Sequence, residues 1–340
     1  MGIHTKSAYT SKLSSALPRL REAMACIVAL AVWLTVTALF IGFRPEHVFL
    51  AILIGTLFFI APSTRRLVVA LIPFALFGIS YDWMNLLPNY EVNPVDVRGL
   101  FETEKSLFGL SYGGSILTPN EFFALHSHPL MDFLAGIFYL CWVPLPIFYG
   151  LWVYFSGKRY DYLRFALVFL LVNLIGFAGY YIHPAAPPWY VALHGFEAVP
   201  GTPGDVAGLG RFDEMTGLSV FHGLYARNSN VFAAMPSLHS AYTFVAFIYS
   251  FIIRSSRAWK WILGIVTFGI WFTAVYTSHH YVLDVCGGIL CTFIAVALFE
   301  CLLMKIPGFR RWLRRYATYI SPISQHSPLS TLRSPLNTKI

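Results

Sequence analysis

Charge is scarce in this chain. Lys, Arg, Asp and Glu make up 12% of its 340 residues, where a soluble domain carries about a quarter. Hydrophobic residues make up 57%, and the mean hydropathy is +0.62. An ordinary soluble globular protein is thereby excluded, and the polar stretches are too short to fold separately. Cysteine is scarce as well. Cys26, Cys141, Cys286, Cys291 and Cys301 all stand in apolar stretches without CxxC spacing. That pattern excludes a zinc ribbon or disulfide scaffold and leaves small packing residues. Acidic residues are outnumbered 16 to 24, for a net charge of +8. A basic balance can signal nucleic acid, but here the basic residues flank hydrophobic runs, so nucleic acid is excluded as a partner. No cleavage-site pattern follows the first apolar run, which reads as a retained helix and not a removed signal peptide. No repeat or charged mid-membrane pathway suggests a transporter.

What the chain has is long apolar runs. A helix of about 20 apolar residues crosses a bilayer, and the runs fall at 24–42, 48–61, 67–87, 131–155, 163–182, 231–253, 259–277 and 281–304. The expected fold is all-α: a polytopic helical membrane bundle of about eight spans, or six if the first two do not cross. With the N-terminus cytoplasmic, all Lys and Arg except Arg44, Arg98, Lys105, Arg211 and Arg227 fall on the cytoplasmic side, as the positive-inside rule requires. Both termini are then cytoplasmic. The chain divides into a basic N-terminus (1–23), one transmembrane catalytic domain (24–304) and a basic, partly disordered tail (305–340). In a bacterium the opposite face is the periplasmic side of the inner membrane; in a eukaryote it is the Golgi lumen.

Two long loops, 88–129 and 183–230, lie on that outer face, and long loops of this kind usually serve function. Residues 98–110 mix charge with Leu and Phe, as a segment lying along the membrane surface does. The same face receives Met235-Pro236-Ser237-Leu238-His239-Ser240 at the start of the sixth span. It also receives Ser278-His279-His280-Tyr281-Val282-Leu283-Asp284 at the turn between the last two. Topology therefore brings His239, His280 and Asp284 to one membrane surface. His280 and Asp284, at i and i+4, stack on one helical face, so the carboxylate can fix the imidazole tautomer. His239 can pass a proton to a leaving oxygen. Pro236 suits the first turn of a helix, and Ser237 with the following amides offers a phosphate site at its positive end. This chemistry suits transfer of a phosphoryl group on or off a lipid.

Pro236-Ser237-Leu238-His239 resembles the PSGH-type motif of the type 2 phosphatidic acid phosphatase superfamily, and His280-x-x-x-Asp284 resembles the end of its SRxxxxxHxxxD motif. Three further segments are similar to the inositol phosphorylceramide synthases, the aureobasidin-target enzymes of fungi and their bacterial relatives. These are Ala234 to Ser240, His279-His280-Tyr281 and Pro184-Ala185-Ala186-Pro187-Pro188-Trp189-Tyr190. The resemblance covers roughly residues 81–303. It implies that His280 attacks phosphorus or deprotonates the acceptor, that Asp284 orients it, and that His239 protonates the departing oxygen, with no metal or other cofactor. The arginine six residues before the family's second histidine is replaced by Ala274, and the KxxxxxxRP motif is absent. A phosphodiester carries less charge than a monoester and needs fewer cations, so these losses favour a head-group transferase.

The implied reaction moves phosphoinositol from phosphatidylinositol to ceramide or dihydroceramide and releases diacylglycerol. The alternatives are a lipid phosphate phosphatase using the same His/His/Asp site and a non-catalytic lipid-binding membrane protein. Further outer-face candidates for substrate binding are Arg227, Arg98 and Lys105 for phosphate, and Asp82 and Asp132 for inositol hydroxyls. Trp189 and Tyr190 are expected to anchor their loop among the headgroups. His128 and His183 are expected to be interfacial only. The oligomeric state is not readable.

Overall fold

The computed structural model describes residues 17–225 and 230–322. Helices α1 (Leu20–Phe40) and α2 (Pro45–Ile60) form a hairpin. Helices α3 (Pro62–Ala70) and α4 (Ile72–Trp83) follow, then α5 (Arg98–Phe108), a short antiparallel hairpin β1 (Leu110–Tyr112) and β2 (Ser115–Leu117), and α6 (Pro119–Leu125). Next come α7 (Pro129–Leu140), α8 (Pro144–Phe155) and α9 (Arg159–Ile182). The second long loop carries α10 (Pro188–His194), α11 (Gly210–Thr216) and α12 (Val220–Tyr225). Helices α13 (Leu238–Ile252), α14 (Arg257–Tyr276), α15 (Val282–Ala297) and α16 (Pro307–Tyr319) complete the described chain.

The protein is mostly helical, with four to six candidate membrane spans. Helices α1, α9, α14 and the continuous stretch Val282–Lys305 are each long and apolar enough to cross a membrane. Two bent pairs, α3–α4 (49°) and α7–α8 (45°), raise the number to six, and α2 and α13 are shorter apolar helices. The sequence led us to expect straight runs at 67–87 and 131–155. The bends fall where Pro73 and Pro144 open the second helix of each pair, because proline has no N–H to continue the ladder. The expected tail disorder after residue 321 lies almost wholly outside the described residues.

Helix α9 is the hub. Its buried residues Tyr162, Phe165, Phe169, Val172, Gly176 and Tyr180 recur every three or four positions, which sets them along one face. Helices α4, α8, α13, α15 and α16 surround it. Helices α1 and α2 stand at the edge and leave large apolar side chains such as Ile27, Phe40, Phe49 and Ile52 exposed, the surface a helix offers to lipid.

The 231–253 run is not helical throughout. Its first residues are extended: Phe232 O accepts from Ala185 N (3.0 Å), and Ala234 N donates to Ala185 O (3.3 Å). The other side of the same segment pairs with the first loop, through Asp96 N to Pro184 O (2.8 Å) and Ala186 N to Asp96 O (3.1 Å). Residues 184–186 of the second long loop thus lie between Asp96 of the first loop and the start of the sixth run. The helix begins at Leu238 with Ser237 as its N-cap. Pro236 therefore precedes the cap instead of occupying the first turn, and it holds Met235 out of the helical region.

Candidate active site

Three close approaches fix the start of α13. Gly176 on α9 faces the Leu238 side chain, Gly179 faces Pro236, and Gly288 on α15 faces Ser237 O and Ser240 Oγ. A Cβ at any of the three would collide. Ser237 N donates to Asp284 O (2.8 Å) across the α13–α15 contact. His239 therefore enters the site on a helix wedged between two others.

His279 and His280 sit in a tight turn between α14 and α15. Ala274 O accepts from both His279 N (3.1 Å) and His280 N (2.9 Å). Ser278 takes a left-handed φ of 61°, uncommon for a non-glycine residue. Outside partners hold the turn: Trp189 N donates to Ser278 O (3.0 Å), Gly208 N to Thr277 O (3.0 Å) and Asn120 Nδ2 to His280 O (2.9 Å). Both long loops thus brace the histidine turn.

His239 Nδ1 lies 3.0 Å from His280 Nε2, and His280 Nδ1 lies 3.4 Å from Asp284 Oδ2. The expected group is therefore assembled. Its local geometry differs from the helical stacking expected, because His280 precedes the helix and only Asp284 lies within it. Asp284 Oδ2 also accepts from Tyr281 N (2.8 Å), so one carboxylate both starts α15 and faces His280. With a proton on Nδ1 directed at that carboxylate, His280 Nε2 keeps its lone pair. Tyr139 OH is 2.9 Å from His239 Nδ1, and Tyr225 OH donates to Tyr139 OH (3.3 Å).

These groups open onto a cavity that is open in part to solvent. Its lining includes the polar residues His239, His279, His280, Tyr225 and Asn230. Trp142, Trp189, Phe177 and Met84 supply much of its apolar wall. Among the described residues no Lys or Arg lines it. Ala274, where the phosphatase pattern carries arginine, is fully buried beside Val275 and Val285. Among the described residues no group of three or more His, Cys, Asp or Glu is placed to hold a metal ion.

Most other candidates lie away from this cavity. Ser237 is buried, and its hydroxyl accepts from Ser240 N, so it caps α13 and does not face the cavity. Arg98 lies over the Phe196 ring (4.1 Å) and Lys105 over Phe101 (5.4 Å). Asp82 pairs with Arg44 (3.1 Å) and His47 (3.3 Å) at the α1–α2 hairpin. Asp132 accepts from Arg211 Nε (2.6 Å) and Tyr276 OH (2.8 Å), tying the second loop to α7 and α14. His128 caps α7, and His183 lies 3.4 Å from Asp96. Trp189 and Tyr190 are buried with Val97, Ala186 and Phe232 instead of anchoring the loop among headgroups. Of the two, Trp189 reaches the cavity. Arg227 lies outside the described residues, between Tyr225 and Asn230, which both line the cavity.

The sequence reading missed Glu104. It is fully buried, and its two oxygens accept from Val282 N (2.9 Å) and Leu283 N (3.1 Å), the first amides of α15. Helix α5 is therefore clamped to the helix that carries Asp284. Burial raises the Glu104 carboxyl above its usual range, against the lowering effect of these two bonds. It also missed Tyr139 and Tyr225 at His239, and Asn89, whose Nδ2 bridges Tyr180 O and Phe232 O (both 2.8 Å). No motif spacing marked any of them; each matters through a partner roughly ninety or more positions away.

Residues 116–298 match the PAP2 superfamily. Over 304 residues the chain is 55% identical to the phosphoinositol dihydroceramide synthase of Bacteroides thetaiotaomicron, covering 89% of this chain and 100% of that protein. It is 26% identical over 292 residues to the inositol phosphorylceramide synthase of Candida albicans (82% of this chain, 58% of that one). It is 29% identical over 243 residues to the inositol phosphorylceramide synthase catalytic subunit aur1 of Schizosaccharomyces pombe (67% and 52%). The chain thus spans little more than half the length of these fungal relatives. No solved structure matches it. The chain belongs to the PAP2 superfamily, in the branch that holds the bacterial phosphoinositol dihydroceramide synthase. Both levels of the resemblance drawn from the motifs hold.

Proposed function

We propose that this protein transfers phosphoinositol from phosphatidylinositol to the primary hydroxyl of ceramide or dihydroceramide, releasing diacylglycerol. The observation that carries this reading is the 55% identity along the full length of a protein named for such a synthesis. The pairing of His239, His280 and Asp284 at the cavity supplies chemistry to match.

In this reading His280 Nε2 either bonds to phosphorus while the diacylglycerol oxygen leaves, and is then displaced by the ceramide oxygen as His239 takes the hydroxyl proton, or takes the proton of the ceramide hydroxyl itself as that oxygen attacks. In both routes His239 gives a proton to the diacylglycerol oxygen. A nucleophile approaches to about 3–3.5 Å before bond formation, and a proton donor to about 2.6–3.2 Å of the oxygen it serves. A phosphoryl group cannot sit between imidazoles only 3.0 Å apart, so they part when the lipid enters. A singly charged diester suits a wall that carries no Lys or Arg among the described residues, and the aromatic and aliphatic side chains of that wall limit the water that competes as acceptor.

Residues 24–304 form the single catalytic membrane domain in this reading. It has eight crossings, counting each bent pair and each of the two short helices as one. The short 1–23 segment and the 305–340 tail are cytoplasmic. The site then faces outward, to the periplasm of a bacterial cell. The arginine-rich α16 at the opposite end supports that orientation.

The test uses membranes containing the protein, a fluorescent ceramide, and phosphatidylinositol, with His280→Ala alongside. A new anionic sphingolipid that needs phosphatidylinositol and is lost in the variant is the expected result. Phosphate release from phosphatidic acid, abolished by the same variant and without that product, would assign a phosphatase instead. Activity unaffected by His280→Ala or by His239→Ala would remove that residue from the chemistry.

A further inference from the structure

The chemistry above uses two histidines, yet a third lines the same cavity. His279 is 4% exposed and packs its ring against Tyr225 (4.5 Å between centroids) and Tyr139 (5.6 Å). Its Nδ1 lies 3.0 Å from Thr277 Oγ1, and its Nε2 is buried with no hydrogen-bond partner among the described residues. A buried nitrogen without a hydrogen bond costs free energy that a folded chain rarely tolerates without a use.

The neighbouring atoms decide which nitrogen carries the proton. Thr277 Oγ1 lies 2.7 Å from Thr273 O. A carbonyl oxygen cannot donate, so the hydroxyl hydrogen must lie between those two oxygens. Thr277 Oγ1 then has only a lone pair to offer His279, and Nδ1 must be the protonated nitrogen. In the neutral ring Nε2 is consequently an acceptor. An acceptor does not bind a phosphodiester oxygen; it binds a hydroxyl hydrogen. The other groups at that end of the cavity, Tyr139 and Tyr225, are engaged with His239 and with each other.

We infer that His279 Nε2 accepts a hydrogen bond from a substrate hydroxyl and so positions an alcohol beside the His239–His280 pair. This rests on the transferase reading for its two sources of hydroxyl, the primary alcohol of ceramide and the inositol ring. Asparagine at 279 keeps a donor for Thr277 near the Nδ1 position and lacks the Nε2 acceptor. Glutamine reaches the Nε2 position with an amide oxygen.

The experiment measures binding to the full-length protein in detergent with two ligand pairs. One pair is a short-chain fluorescent ceramide and its 1-deoxy analogue. The other is phosphatidylinositol and phosphatidylmethanol, a diester without head-group hydroxyls. Wild type should prefer the hydroxyl-bearing member of one pair by about tenfold, the loss expected when one hydrogen bond to a buried group is removed. His279→Asn should abolish that preference, and His279→Gln should retain most of it. Collapse in the ceramide pair assigns the acceptor alcohol; collapse in the inositol pair assigns the head group. Unchanged preference in His279→Asn, or equal loss in both variants with unfolding temperatures like wild type, overturns the inference. Should neither variant fold, absence of preference in wild type for both pairs overturns it as well. Transfer activity, assayed separately on wild type, tests the proposed reaction without touching this result.

Discussion

Replacing Gly288 by alanine should separate catalysis from stability. Gly288 lies on α15 against the N-cap of α13, where a Cβ would overlap Ser237 O and come within 2.8 Å of Ser240 Oγ. The atoms it meets cannot swing aside. Ser237 O is backbone, Ser240 Oγ donates to it (2.8 Å), and Ser237 N is bound to Asp284 O. Relief therefore requires the two helices to part by about 1 Å, a strain that costs roughly 1–3 kcal/mol in a packed interior. Alanine recovers up to about 1 kcal/mol through its higher helix propensity, so the net loss should stay near 0–2 kcal/mol and the protein should fold. His239 rides on the displaced helix and His280 Nε2 does not. A misplacement of that size at reacting groups costs on the order of 10²-fold in rate. The assay is transfer to fluorescent ceramide by purified protein, with thermal unfolding in parallel. Gly78→Ala and Gly223→Ala, where nothing lies within 4 Å of the added carbon, serve as controls. A folded Gly288→Ala protein within twofold of wild-type kcat would refute the claim that this contact sets the histidine geometry.

Three further outcomes are expected. Tyr139→Phe removes the hydroxyl at His239 Nδ1 and should lower kcat roughly tenfold with little change in KM; an unchanged kcat means Tyr139 only fills space. Arg98→Ala and Lys105→Ala should leave the KM for phosphatidylinositol within about twofold, since both cations lie over phenylalanine rings, and a large rise in either variant would return that residue to the site. Glu104 has a folded pKa raised from its ordinary 4.5, first by burial, so its contribution is complete below 4.5 and is lost as pH rises through the raised folded value. The unfolding temperature of wild type relative to Glu104→Gln should therefore fall across that window, and a difference independent of pH would show that the carboxyl is not perturbed.

Much of the fold was legible in the apolar runs, because a bilayer demands helices of set length and the runs supply them. What the runs hid was interruption. Residues 231–237 are apolar enough to extend the sixth run, yet their backbone pairs with Ala185 instead, a tertiary partner that hydropathy does not register. The catalytic candidates were legible for a different reason. His239 sits two residues after its cap Ser237, and His280 and Asp284 are four positions apart, so local spacing carried them. Substrate-binding candidates chosen by charge and side of the membrane fared differently. Arg98, Lys105, Asp82 and Asp132 are charged, but each is engaged with another side chain of the protein away from the cavity. Scarce charge in a membrane protein is as readily used to fasten loops as to bind ligand.

That fastening bears on the reaction itself. The histidine turn carries two buried imidazoles and a left-handed serine, an arrangement that a free loop would not hold. It is held by Asn120 from the first long loop and by Trp189 and Gly208 from the second, while Glu104 caps the helix that follows it. The two long loops are therefore part of the frame that holds His279 and His280 in place. A phosphatase that accepts water has no need to exclude it, whereas a transferase must admit two lipids and keep water out. Loops that both brace His280 and wall the cavity with Trp189 and Tyr225 meet those demands with one set of contacts. Loosening any of them should show first as hydrolysis competing with transfer, before activity is lost outright.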